Sequence, residues 1–215
     1  MWRTLSLLLL LTATSTVLAQ PNIVFIFADD LGVGDVGAYG GELIDTPNIN
    51  ALASKGMLFE QAYASHPVCS PSRAGLMSGR YQQRHGWEFN PAARIETSGM
   101  DAKQITLADM LNASGYTTSM VGKWHLGYLP QFHPLNRGFD EYFGVLAGGS
   151  IFIDQSRPDV ESIGNWPLVR DRSKGVYDGR TLVEVEEYLT DVFTNRAVDF
   201  IKQKHKAPFF LYLSH

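Results

Sequence analysis

The chain has 215 residues, and its 18 Lys and Arg against 22 Asp and Glu give a formal net charge of −4 at pH 7. This balance argues against a basic nucleic-acid-binding protein. With 45% hydrophobic and 12% aromatic residues, the composition is that of a folded domain rather than a disordered chain. A single cysteine, Cys69, excludes an internal disulfide framework and a cysteine-rich zinc module.

The N-terminal segment has the pattern of a signal peptide. A leucine-rich run over residues 5–11 is followed by a polar stretch and by Val17 and Ala19, which mark a cleavage site after Ala19. The apolar run is shorter than the ~20 residues of a membrane-spanning helix, so an uncleaved anchor is the less favoured alternative. We therefore expect residues 1–19 to be removed, the mature chain to be residues 20–215, and no stable membrane anchor.

The predicted elements alternate between strands and helices. Apolar runs predict three strands, over residues 22–27, 116–121 and 208–213, of which the first and last have the pattern of strands buried on both faces. Helices are predicted from capping threonines, glycine stops or amphipathic period, over residues 46–56, 106–115 and 191–204, with Thr46 and Thr106 as N-caps. Residues 148–180 have no steady period and predict long surface loops at a substrate mouth. The alternation predicts a mostly parallel sheet with helices on both faces.

Polar residues follow each of the three predicted strands. The clusters are Asp29-Asp30, Lys123 with His125, and Ser214-His215. Because sites in parallel α/β sheets lie beyond the carboxyl ends of the strands, we expect the three clusters to converge on one rim. One residue separates Lys123 from His125, so in an extended segment both side chains would point the same way and reach one anion.

Cys69 stands at the predicted start of a further helix, which closes at Gly79. Free amide N–H groups and the helix dipole at such a position favour an anion, and Arg73 one turn later favours a negatively charged nucleophile. The alternative is that Cys69 is a small buried hydrophobe, as free cysteines most often are. An unpaired thiol is nevertheless unusual in an exported protein.

The segment Cys69-x-Pro71-x-Arg73, within CSPSRAGLMSGRY, resembles the signature of the type I sulfatases, in which the cysteine is oxidised to formylglycine. Other segments are similar to that family in the same order: PNIV, DDLG, TPNI, GKWHLG and RGFD, which begin at residues 21, 29, 46, 122 and 137. The similarity extends over nearly all of the mature chain. It implies an α/β three-layer sandwich of the alkaline-phosphatase-like superfamily, truncated at the C-terminus, with residues 20–215 as the N-terminal part of a sulfatase catalytic domain.

The resemblance also implies hydrolysis of sulfate esters. Formylglycine made from Cys69 would be hydrated to a diol, one hydroxyl of which attacks sulfur while the other later loses its proton to expel sulfate. The same resemblance makes Asp29, Asp30 and Cys69 the metal ligands. Carboxylate oxygens suit Ca²⁺, or alternatively Mg²⁺, better than a soft metal. Without the resemblance, the two aspartates would be read as a turn or helix cap after a strand.

Four further residues take roles from the family by position. Arg73 would hold the diol and the metal-binding carboxylates through forked hydrogen bonds. Lys123 would contact the sulfate as a fixed charge, His125 would donate a hydrogen bond to the modified residue, and Ser150 would be an additional substrate contact. Considered alone, Arg73 is equally compatible with a surface ion pair, and the Lys123 segment with a solvated loop.

Several other residues are weaker candidates. His66 and His85 flank the cysteine motif and would either line the pocket or be structural. Trp87, Phe89 and Trp166 are aromatic side chains that would stack on a sugar or aryl ring. Asn112 begins a glycosylation sequon in the last turn of a predicted helix.

The later Asp-Asn pair, lysine and histidine of the family have no match here, and His215 is at most a neighbour of that histidine. We therefore expect the chain itself to be inactive, with residues 209–213 at an exposed sheet edge. The alternatives are a phosphonate or phosphodiester hydrolase of the same superfamily and a non-catalytic secreted binder of sulfated ligands. The implied partners are a sulfated small molecule or carbohydrate and the maturation enzyme that generates formylglycine, in a secreted, periplasmic or lysosomal location.

Overall fold

The computed structural model describes residues 20–91, 98–153 and 175–215. Its strands are β1 (Ile23–Phe27), β2 (Thr117–Lys123), β3 (Glu141–Val145), β4 (Val176–Asp178), β5 (Thr181–Val183) and β6 (Phe209–Ser214). Its helices are α1 (Pro47–Lys55), α2 (Cys69–Ser78), α3 (Leu107–Ala113) and α4 (Leu189–Lys202). Within the described ranges, none of the helices has the length and apolar character needed to cross a membrane.

The strands form a six-stranded sheet in the order β1-β6-β2-β3-β4-β5. Strands β1, β6, β2 and β3 run parallel, whereas β4 and β5 are added in antiparallel pairings. The prediction of a mostly parallel sheet is therefore confirmed. All six residues of β6 are buried, because this strand lies between β1 and β2. The prediction that residues 209–213 lie at a sheet edge is wrong, since the last strand in sequence inserts at the centre of the parallel part.

Helices cover both faces of the sheet. On one face, Phe193 of α4 packs with Val121 and Leu211 from the strands. On the other face, Ala74 of α2 and Ala108 of α3 belong to a second apolar core. Burying apolar side chains on both faces is the main favourable contribution to folding such a sheet. The result is the α/β three-layer sandwich that the sequence predicts.

Strand β1 is less buried than its apolar sequence predicts. Val24 is 44% exposed and Ile26 is 61% exposed. Register places them beside Leu211 and Leu213 of β6, on the face that α4 covers. Because α4 packs chiefly against β2, β3 and β6, its cover does not extend over β1. The prediction of a first strand buried on both faces is therefore wrong for the described part of the chain.

The helix caps differ from one another. Thr106 caps α3 as predicted, because its Oγ1 accepts a hydrogen bond from the Asp109 N–H at 3.0 Å. Thr46 precedes α1, but its side chain makes no capping hydrogen bond to the helix backbone. Its Oγ1 instead accepts from the Gly37 N–H at 2.9 Å and donates to Asn50 Oδ1 at 3.0 Å. The helix and the N-cap position of Thr46 are confirmed, but the Thr46 side chain does not cap the helix.

The predicted loop over residues 148–180 contains an element of secondary structure. Strand β4 pairs with β5 as a hairpin whose two central residues are Gly179 and Arg180. Gly179 has φ +57°, a left-handed conformation that glycine adopts without the steric cost of a Cβ. A glycine at the first central position is the signal of a tight hairpin turn. Residues 154–174 of the predicted loop lie outside the described residues.

Candidate active site

The three polar clusters meet at the carboxyl ends of β1, β2 and β6, as predicted. Lys123 Nζ donates to Asp29 Oδ2 at 2.5 Å, and Arg73 Nη2 lies 3.5 Å from Asp29 Oδ1. Arg73 Nη1 also donates to the Lys123 carbonyl at 2.7 Å and to Ser214 Oγ at 2.6 Å. The backbone N–H of His215 donates to the Phe27 carbonyl at 3.0 Å. These contacts join four segments that are far apart in the sequence.

Asp29 is the anion between two buried cations. The side chains of Arg73 and Lys123 are 1% and 10% exposed, and that of Asp29 is 27% exposed. Burial alone would raise the pKa of the Asp29 carboxyl, but the Lys123 hydrogen bond and the two positive charges outweigh it and lower that pKa. Asp29 is therefore ionised at neutral pH. Arg73 Nη2 faces Asp29, whereas Nε of Arg73 is buried without a hydrogen-bond partner within the described ranges, which leaves one donor for a further anion.

Asp29 and Asp30 share a cavity of about 320 Å³ with Cys69. His66 and Ser72 also line this cavity. His66 has a local structural contact as well, because its Nδ1 accepts the Val68 backbone N–H at 3.0 Å. The carboxylates provide hard oxygen ligands in the cavity that Cys69 also lines. In the described parts of the chain, no three His, Cys, Asp or Glu side chains are close enough to hold a metal ion together. The residues present therefore suit Ca²⁺ or Mg²⁺ in chemistry, but supply only part of a ligand set.

Cys69 is the first residue of α2, as predicted, and its side chain is half-buried. Asn90 contacts its sulfur: Nδ2 donates to Sγ at 3.4 Å, and Oδ1 lies 3.6 Å from Sγ. Asn90 Oδ1 also accepts the Ser70 N–H at 3.0 Å, which satisfies a free donor of the first turn. Sequence reasoning missed Asn90, because nothing in its local sequence places it beside a cysteine that is 21 residues away.

Ser70, the residue after the cysteine, joins the helix to the end of β2. It is fully buried, and its Oγ donates to the His125 carbonyl at 2.5 Å. The same oxygen accepts the Trp87 indole N–H at 2.8 Å. Trp87 is half-buried against the core. Trp87 therefore has a structural contact in addition to the predicted stacking on a sugar or aryl ring.

The backbone of His125 adopts a left-handed conformation and does not continue strand β2. Its φ is +60°, so the prediction that Lys123 and His125 lie in one extended segment is wrong. Such a conformation is uncommon for a non-glycine residue and is typical of functional sites. Gly148 lies against the imidazole, because a Cβ built there would come within 2.3 Å of the ring. Burial, followed by the charges of Lys123 and Arg73, lowers the His125 pKa to about 3, which makes the imidazole neutral at pH 7.

Ser150 and His85 are two further candidates, and the structure places only Ser150 near His125. Ser150 is half-buried and lies two residues after Gly148, so it follows the segment that contacts His125. Its role as a substrate contact stays a prediction. His85 lies at the other end of α2 from Cys69, where its Nε2 is 3.4 Å from Ser78 Oγ. His85 is therefore structural rather than a residue of the pocket.

Phe89, Trp166 and Asn112 are the remaining candidates from the sequence. Phe89 is 82% exposed, which leaves its ring free of the core. Trp166 lies outside the described residues. Asn112 is in α3, one residue before its end, as predicted. Its Nδ2, the atom that a glycan would modify, donates to Asp140 Oδ1 at 2.9 Å.

The family assignment follows from the match of this chain to known proteins. The profile of the family described as Sulfatase matches residues 21–215. The chain belongs to the sulfatase family. The prediction made from the Cys69 motif and its companion segments is thereby confirmed. The matched region contains every residue of the strand-end arrangement described above.

The curated relatives of this sulfatase-family chain are longer than it is. N-acetylgalactosamine-6-sulfatase of Canis lupus familiaris is 39% identical over 228 residues, which cover 98% of this chain and 42% of that protein. Arylsulfatase G of Rattus norvegicus is 37% identical over 212 residues, which cover 90% of this chain and 40% of that protein. The chain thus spans about two fifths of the length of the curated relatives it matches.

Solved structures confirm the sulfatase-type fold. The crystal structure of Ps i-CgsB superposes with a TM-score of 0.80 at 38% identity, over 91% of this chain and 44% of that chain. A second structure is of a protein in complex with its substrate D-glucosamine-2-N,6-O-disulfate. It superposes with a TM-score of 0.70 at 28% identity, over 90% of this chain and 34% of that chain. The α/β architecture predicted from the sequence therefore agrees with that of solved sulfatase relatives.

Proposed function

We propose that this protein acts in the hydrolysis of sulfate esters, with formylglycine made from Cys69 as the nucleophile. The observation that carries the proposal is the group of Asp29, Arg73 and Lys123, assembled at the strand ends, with Asp29 lining the same cavity as Cys69. A sulfate ester develops negative charge as its bond to the alcohol breaks, and fixed cationic donors stabilise that charge. Membership of the sulfatase family supports the same reaction.

The position of residue 69 suits a nucleophile that carries negative charge. Formylglycine there supplies a hydrated aldehyde, one hydroxyl of which bonds to sulfur while the sulfur–oxygen bond to the alcohol breaks. Residue 69 lies at the positive end of the α2 dipole, and Arg73 Nε is a buried donor without a partner in the described structure. Lys123 provides a buried positive charge, and neutral His125 provides a hydrogen-bonding imidazole. These roles for Cys69, Arg73, Lys123 and His125 are part of the proposal.

The proposal includes a divalent cation, Ca²⁺ or alternatively Mg²⁺. Asp29, Asp30 and the modified residue 69 would hold it, since both carboxylates line the cavity beside Cys69. Such an ion supplies Lewis-acid stabilisation of the sulfate oxygens. Ca²⁺ takes about six to eight oxygen ligands, and the described residues supply only part of that number. We therefore expect tight binding of the ion and full activity to require ligands in addition to Asp29, Asp30 and residue 69.

The substrate class that fits best is a sulfated carbohydrate. The relatives named as N-acetylgalactosamine-6-sulfatase and the structure bound to a sulfated glucosamine both point to sulfated sugars. Phe89, with its exposed ring, and Ser150 would contribute to binding of the sugar. A formylglycine-generating maturation enzyme would be the partner that converts Cys69. The signal peptide proposed for residues 1–19 would export the protein.

Hydrolysis of paired aryl esters tests the reaction. We expect the protein at its natural length, with Cys69 converted, to cleave an aryl sulfate much faster than the matching aryl phosphate. The Cys69→Ala variant is the control, because it retains the fold but cannot form the nucleophile. Faster cleavage of the phosphate would favour the phosphonate or phosphodiester hydrolase. Binding of sulfated sugars without cleavage of either ester would favour the non-catalytic binder.

A further inference from the structure

We propose that Asn90 is a further catalytic residue, whose side-chain N–H group donates a hydrogen bond to the nucleophilic atom of residue 69. This inference rests on the proposed sulfate-ester hydrolysis. In the described parts of the chain, Asn90 is the side chain that hydrogen-bonds Cys69 Sγ, with Nδ2 at 3.4 Å. An oxygen of formylglycine takes the place of that sulfur after conversion. The same N–H group is then directed at an oxygen of the nucleophile.

The orientation of the Asn90 amide follows from its other contact. The backbone N–H of Ser70 is a donor, so the atom that faces it at 3.0 Å must be the amide oxygen. The amide nitrogen then lies 3.4 Å from Sγ, and the oxygen, which also accepts from the thiol, lies slightly farther away at 3.6 Å. A carboxamide bound in this way at a helix start is a fixed donor, and it needs no reorganisation when negative charge develops.

The chain around Asn90 holds this side chain in place. Pro91 is buried and follows directly, and a proline restricts the backbone of the residue before it to extended conformations. Asn90 itself is exposed. It therefore adds little to the apolar core, and burial does not explain its position. Asn90 thus supplies residue 69 with a donor that does not belong to the Arg73–Asp29–Lys123 group.

Asn90→Asp and Asn90→Ala together separate a catalytic donor from an added charge. Both variants lack the N–H group, and only Asn90→Asp places a negative charge beside residue 69. A loss of activity in Asn90→Asp that is absent in Asn90→Ala would assign the effect to that charge and overturn the inference. Aspartate retains an oxygen that accepts the Ser70 N–H, and aspartate is as good a cap as asparagine. It lacks the N–H group that points at residue 69. We therefore expect the thermal unfolding midpoint to stay close to that of the unsubstituted protein. Asn195→Asp is the matched control, since it makes the same chemical change on an exposed position of α4, on the opposite face of the sheet.

The first measurement uses the unconverted thiol. Iodoacetamide reacts with the thiolate, which a donor stabilises and a neighbouring carboxylate destabilises. In Asn90→Asp, alkylation of Cys69, followed by mass spectrometry of its peptide, is expected to slow by about 10-fold, because the nucleophilic sulfur loses a hydrogen-bond donor. Asn195→Asp is expected to react at the rate of the unsubstituted protein. An unchanged rate in Asn90→Asp would overturn the inference.

The second measurement uses the converted protein at its natural length. Per mole of formylglycine, Asn90→Asp is expected to lower kcat for an aryl sulfate by about 10²-fold, the usual effect of losing one preorganised donor. Asn195→Asp is expected to retain the unsubstituted rate. Full activity in Asn90→Asp would overturn the inference while leaving the proposed reaction intact. An unsubstituted protein that contains formylglycine but cleaves no sulfate ester would overturn the proposed function, and this inference with it.

Discussion

Asp29→Asn is expected to lower the turnover of a sulfate ester by about 10²-fold or more, because it removes the anion that holds the site together. The substitution keeps the shape of the side chain but leaves Arg73 and Lys123 without their shared counter-charge. Breaking a fully buried pair costs about 3–5 kcal/mol. Since the Asp29 side chain is 27% exposed, we expect a smaller loss in the free energy of unfolding, about 1–3 kcal/mol. Urea unfolding and ester hydrolysis measure the two effects.

Asp30→Asn is the control that separates stability from chemistry. The Asp30 side chain is exposed, and the ion pairs of Arg73 and Lys123 within the described ranges are made with Asp29. We therefore expect Asp30→Asn to lower metal content and turnover while leaving the free energy of unfolding almost unchanged. Normal metal content and turnover in both variants would show that the two carboxylates do not bind a catalytic cation.

His125→Asn is expected to lower kcat by about 10²-fold while preserving the fold. Asparagine tolerates the left-handed backbone at φ +60° better than most residues, so the substitution removes the imidazole without adding much strain. His125→Ala removes the same group but is expected to cost about 1 kcal/mol more in stability, because alanine is strained in this conformation. Kinetics on a sulfate ester and thermal unfolding of both variants test the prediction.

The comparison of the two His125 variants identifies the cause of any loss. Equal turnover in both, well below that of the unsubstituted protein, indicates that the imidazole itself is required. Activity close to normal in His125→Asn, with a loss only in His125→Ala, would show that the residue acts through its backbone. That result would contradict its proposed role as a hydrogen-bonding group.

The strands and the site were predictable where the signal is local. The apolar run of β6, the cap at Thr106 and the position of Cys69 at a helix start each depend on neighbouring residues. The convergence of the polar clusters was also predictable, because the carboxyl ends of parallel strands meet at one edge. These local and topological rules were sufficient to place Asp29 next to Lys123.

Features that depend on strand order and tertiary contact were not predictable. The apolar pattern of residues 208–213 predicts a strand buried on both faces, but it does not indicate that this strand inserts between β1 and β2. The exposure of Ile26 follows from that order and from the reach of α4. The left-handed backbone of His125 is accompanied by contacts with Ser70 and Gly148, which are distant in sequence and which no local motif encodes. The strands of the β4–β5 hairpin have three residues each, too few for a clear alternation.

The mass of the peptide that contains Cys69 tests the central claim most directly. In a host that matures other sulfatases, we expect this peptide to be lighter than its thiol form, by the difference between CH₂SH and an aldehyde. Pro71→Ala should reduce the conversion, because it changes the motif, whereas Ser72→Ala, at a variable position of the motif, should not. An unmodified thiol throughout, in a host that converts another sulfatase in parallel, would contradict the proposal that this protein uses a formylglycine nucleophile.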